Sequence, residues 1–119
     1  MAIIMGSILN TTKKVLGMDE SYEAFDTDIV MHINSVFSIL HQLGVGPVVG
    51  FSIEDATDIW EDYILDVDNI NSVKSYMYLK VRLMFDPPAT SFAITAMENQ
   101  AKEFEWRLYV QVDPPPEVD

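Results

Sequence analysis

His32 and His41 are the chain's only histidines, and it contains no cysteine. The lack of thiols excludes a disulfide framework, a thiolate metal site and a cysteine nucleophile. Nine residues of helix separate the two imidazoles by about 14 Å, so they cannot ligate one ion. Asp28 and His32 are four apart and share a helix face, but two ligands do not close a metal site. We expect a solvated or interface imidazole beside an acidic helix start. The densest carboxylate run includes Glu54, Asp55, Asp58, Glu61 and Asp62, and continues to Asp66 and Asp68. Residues 66–70 lack the turn glycine and terminal Glu of an EF-hand loop. These carboxylates read as the wet face of a short amphipathic helix whose other face carries Ile59, Trp60 and Tyr63. The glycines at 44, 46 and 50 follow a helical pattern rather than a strand, and the third comes too late for a dinucleotide fingerprint. There is no P-loop and no GxSxG. The sequence therefore points away from an enzyme, a metal and a cofactor.

The charge balance limits the partners. Seven Lys and Arg face 19 Asp and Glu, a net charge of −12 over 119 residues. Such a chain repels nucleic acid and anionic membranes. At 49% hydrophobic residues it still has enough apolar material for one core. The apolar opening is cut at Gly6, too short for a signal-peptide core or a membrane span, and no later run approaches 18 residues. The expectation is a soluble cytoplasmic protein.

Helical spacing dominates the elements that must position these residues. The pattern predicts helices near 8–16, 27–43, 53–64, 71–85 and 91–110. Ser7 caps the first, Gly17 ends it, and Lys13 and Lys14 sit in its last turn, where cations favour the helix dipole. Asp26 is the expected N-cap of the second helix, with Phe25 stapled onto Val30. Its apolar face is Ile29, Ile33, Val36, Phe37, Leu40 and Leu43, and Gly44 ends it. Ser52 and Asp55 form a capping-box-like start for the third. Asp86-Pro87-Pro88 stops the fourth, and Thr90 or Ser91 caps the last. The predicted core is Ile29, Ile33, Phe37, Leu40, Tyr76, Leu79, Leu83, Met97, Phe104 and Leu108. Strand signals are weak. The fold class is all-α, a small bundle of three long helices plus short ones, with a helical domain at 1–112 and an extended, proline-rich acidic tail at 113–119.

Two features point outward. Lys80 and Arg82 interrupt an apolar helix, and in a chain so short of cations they suit ion pairs with a neighbouring subunit, as does Arg107. Trp106 and Tyr109, with Lys102, lie off the main apolar face of the last helix, which suits a protein interface or packing by the N-terminal helix. In the tail, Val112, Pro114, Pro115 and Pro116 form a stiff apolar arm able to lie in a groove or along a strand edge of a partner.

Phe25-Asp26-Thr27-Asp28-Ile29, leading into His32-Ile33-Asn34-Ser35-Val36-Phe37 and Gln42-Leu43-Gly44, is one of two informative segments. The other is Tyr78-Leu79-Lys80-Val81-Arg82-Leu83-Met84-Phe85-Asp86-Pro87-Pro88. Together with the helix order from about Ile8 to Val112, they resemble the small head–tail connector (adaptor) proteins of long-tailed bacteriophages. The resemblance implies a helical, non-enzymatic virion protein of the neck, made in the host cytoplasm. It implies a homo-oligomeric ring, commonly twelve-fold, beneath the portal, which extends the DNA channel toward a tail-side neck protein. Double-stranded DNA would pass through without specific binding, and an acidic lining that repels phosphate suits that passage. The same charge fits a second class, a small acidic DNA mimic that occupies a nucleic-acid-binding protein.

Overall fold

The computed structural model describes residues 6–63 and 67–112, with side chains at 6–63 and 70–110. Among these residues the fold is all-α. The helices are α1 (Ile8–Val15), α2 (Asp26–Gln42), α3 (Val67–Phe85) and α4 (Ser91–Val112), with one 3-10 turn at Trp60–Asp62. The helix α3 packs against the other three, with α4 and α2 as its main neighbours. The expected tail at 113–119, with Pro114, Pro115 and Pro116, lies outside the described residues.

Local chemistry explains the helix ends. The Ser7 hydroxyl accepts from the Asn10 amide at 3.1 Å and starts α1. At the other end the Gly17 amide donates to Lys14 O and the Met18 amide to Lys13 O, a Schellman closure that needs Gly17 at φ +85°. The same pair of bonds closes α2, from Gly44 to His41 O and from Val45 to Leu40 O. Thr90 caps α4 by accepting from the Ala93 amide at 3.2 Å.

Several expectations need correction. Asp26 is not an N-cap: Phe25 occupies that position without a side-chain cap bond. The Phe25 ring reaches the end of α3. It is exposed and lies edge-on to Phe85, with ring centroids 5.4 Å apart. Asp26 is instead the first residue of the helix, where it meets Lys13.

The helix expected at 53–64 does not form over the described part of that range, and Ile64 lies outside it. Residues 51–63 are an irregular strap ending in the 3-10 turn. Ser52 and Asp55 make no capping box. The Asp58 carboxylate accepts from the Glu54 and Asp55 amides at 2.8 and 3.3 Å, and Asp55 accepts from the Thr57 amide at 2.9 Å. Short acidic side chains thus bond the backbone locally and compete with helix formation. Longer-range bonds complete the strap. Asn34 of α2 donates from Nδ2 to Ile53 O at 3.0 Å and accepts the Ile53 amide at 2.7 Å. Ser7 and Ile59 form an isolated antiparallel bridge.

The strap carries buried aromatic rings. Trp60 and Tyr63 are buried and join Phe37 and Phe51 in an aromatic cluster. The Phe37 ring lies 4.6 Å from Tyr63 and 5.0 Å from Phe51, mutually tilted as aromatic quadrupoles prefer. Trp60 Nε1 donates to Thr11 Oγ1 at 2.8 Å. Gly46 is required here, since a Cβ at that position would come within 2.6 Å of the Tyr63 ring.

Of the predicted core, Ile29, Ile33, Phe37, Leu40, Tyr76, Leu79 and Leu108 are buried. Met97 and Phe104 are only partly buried against that core, and Leu83 is likewise half-covered. These last three sit on or beside the α3–α4 pair, where little else lies over them.

Candidate assembly interface

The polar residues that might have carried chemistry are mostly committed to structure. His32 is half-buried with its ring against Phe85, centroids 6.1 Å apart, and His41 is exposed beside the Gly50 turn. Hydrogen bonds from the Ser21 side chain and amide hold Asp19 below its ordinary 3.8, and bonds from the Thr57 side chain and amide do the same for Asp55. Burial raises the Tyr63 hydroxyl far above its usual range. Tyr76 is raised further, first by burial and then by its 2.8 Å hydrogen bond to Glu105 Oε2. Among the described residues, no group of three or more His, Asp or Glu is placed to hold a metal ion.

Lys13 lies in the last turn of α1 as its sequence position predicts, but its burial is not legible there. The side chain is fully buried. Its Nζ donates to Glu20 O at 3.0 Å and approaches Asp26 Oδ1 to 2.8 Å. No well-aligned hydrogen bond reaches that oxygen, so the contact with Asp26 is one of charge. The pair pins the start of α2 beneath the end of α1. A carboxylate thirteen residues downstream gives no local signal, so periodicity could not reveal it.

The outer face of α4 carries exposed aromatic rings. Ala101 and Leu108 are buried against α3, with Met97 and Phe104 partly so. On the opposite side Phe92, Trp106 and Tyr109 are 85%, 66% and 49% exposed. Lys102, Trp106 and Tyr109 follow one another at steps of four and three, so they share a helix face. The N-terminal helix packs on α2 and α3 and leaves this aromatic stripe open. Val112 is the last residue of α4.

The expected interface cations divide between α3 and α4. Lys80 is half-buried on α3 and has no ion pair among the described residues. Arg82 is used locally, donating from Nη1 to the Tyr78 hydroxyl at 3.2 Å and from Nε to Asp86 O at 3.3 Å. Arg107 pairs with Glu103 of its own helix in an exposed i,i+4 bridge, a contact worth only a few tenths of a kcal/mol.

A groove escaped the sequence reading altogether. It lies between the end of α1, the middle of α3 and α4, with a volume of about 550 Å³. Val15, Tyr78, Leu79 and Phe104 supply its apolar wall, and Lys74 supplies a cation. The only sequence signal is Lys74 placed four residues before Tyr78, which reads as ordinary surface patterning.

The outward rings of Trp106 and Tyr109 are thus left uncovered by the chain itself. The family model described as phage connector protein matches residues 8–115. The chain belongs to the phage connector protein family. No curated protein and no solved structure matches it. Membership carries a structural connector role in the phage particle, in company with other virion proteins. No helix among the described residues of this connector is long and apolar enough to cross a membrane.

Proposed function

We propose that this connector forms a homo-oligomeric ring, twelve-fold as is common in the family, between the portal and a tail-side neck protein, and that the ring continues the DNA channel. The match over residues 8–115 carries the reading. The geometry supports it. A ring needs a heterologous interface, in which one face of a subunit meets a different face of the next. The α4 stripe of Trp106 and Tyr109 is one such face, and Val112, Pro114, Pro115 and Pro116 belong to the same contact. Lys80, Arg82 and Arg107 meet carboxylates of the neighbouring subunit. The net charge of −12 per subunit keeps the channel from gripping the duplex that slides through it. That charge also opposes assembly, so rings form better at about 0.15 M salt than at low salt.

Mass photometry of the protein alone and with portal tests this reading. A closed oligomer, or a complex with the portal, is the expected result. A monomer or dimer that ignores portal and captures a basic nucleic-acid-binding protein would establish the DNA-mimic role instead.

A further inference from the structure

The groove bounded by α1, α3 and α4 is apolar, open and flanked by cations in a chain that has few. Of the seven Lys and Arg, one lines it and two more touch residues that do. Lys74 lines it and lies over the Trp60 ring, 5.7 Å from the centroid. Arg107 lies over the ring of Phe104 at 6.0 Å, and Arg82 bonds the hydroxyl of Tyr78. We propose that this groove takes the C-terminal segment 113–119 of a second copy of the chain.

The segment's chemistry complements the site. Asp113-Pro114-Pro115-Pro116-Glu117-Val118-Asp119 joins a proline triplet to three carboxylates. A polyproline stretch is pre-extended, loses little entropy on docking, and binds grooves walled by aromatic rings. The rings of Tyr78 and Phe104 meet the prolines, and Lys74 meets the acidic end. The occupant belongs to another copy for a geometric reason. Phe104 lies eight residues before Val112, about 12 Å back along α4. To reach its own groove the chain would have to double back within a few residues of the helix end, whereas a run of three prolines favours an extended course. The donor end of one copy and the acceptor groove of the next make a heterologous contact, which propagates around a ring.

This inference rests on the self-association proposed above, and the cysteine-free sequence allows a direct test. Ser75, exposed and lining the groove, is replaced in one full-length chain (Ser75→Cys), and Val118 in another (Val118→Cys). The two chains are co-expressed and oxidised. A disulfide-linked heterodimer is expected, its yield reduced about fivefold when Lys74→Glu is added to the groove copy, with circular dichroism confirming that the copy is folded. A Ser38→Cys control on the exposed side of α2 gives little cross-linking. No heterodimer overturns the inference, as does a yield equal to the control or unchanged by Lys74→Glu. A single chain carrying both cysteines that closes on itself, while separate copies do not link, also overturns it. Mass photometry of the unoxidised chain keeps the two readings apart. Closed rings without the cross-link remove the groove and leave the ring, whereas the cross-link in a chain that forms only pairs upholds the groove and removes the ring.

Discussion

The first half of the connector and its last helix are stabilised in different ways. In the first half, α1, α2 and the strap at 51–63 enclose the Phe37, Phe51, Trp60 and Tyr63 cluster, a buried Lys13, and backbone bonds contributed by Asn34. The helix α4 is covered along one side only, its chief polar tie to α3 being Tyr76 to Glu105. One region is packed from several sides, with α2 held between α1 and α3, and the other leaves the Trp106 and Tyr109 rings uncovered.

The comparison is broken most directly at Phe37. Phe37→Ala should cost about 3–5 kcal/mol in equilibrium unfolding, because it empties the centre of the aromatic cluster. A loss under about 1 kcal/mol would mean that the strap does not share the core. Next is Asn34→Ala, which strands both the amide and the carbonyl of Ile53 and should cost about 1–3 kcal/mol by urea denaturation. On the other side, Tyr76→Phe removes one bond to a carboxylate and should cost about 1–2 kcal/mol. If it matched Phe37→Ala, the α3–α4 joint would be as demanding as the cluster.

Smaller still is Trp106→Ala, expected to change monomer folding by at most about 0.5 kcal/mol while weakening assembly in analytical ultracentrifugation. Equal effects on both would assign Trp106 to the fold. The last concerns pH. The folded pKa values of Asp19 and Asp55 lie below the ordinary 3.8, so their turns are fully supported above that pH and loosen as pH falls through the lowered values. The Ser21 and Thr57 amide resonances should therefore titrate with midpoints below 3.8, and midpoints at or above it would show the turns to be open in solution.

The same division decides what could be read before the structure. The helices were legible wherever a periodic face met a local cap, as at Ser7, Gly17, Gly44 and Thr90. Asp86-Pro87-Pro88 marked the end of α3 and the change of direction into α4. The strap was misread because Ile59, Trp60 and Tyr63 satisfy helical spacing, while the bonds that hold it come from Asn34, nineteen residues before Ile53, and from the backbone of Gly6 and Ile8. Spacing cannot express such pairings. Trp106 and Tyr109 were legible as an outward face because they leave the Ala101 and Leu108 stripe, and the structure leaves them exposed. The groove was not legible, since its walls come from three helices that meet only in the folded chain.

The Asn34 amide has a further consequence for the strap. It gives Ile53 the donor and acceptor that a neighbouring strand would otherwise supply. A segment without regular secondary structure thereby takes on the opening energy of the helix that clamps it. In deuterated solvent the Ile53 N–H should exchange on the schedule of the α2 interior, and the slowest-exchanging unit of the connector should run from one into the other without a break.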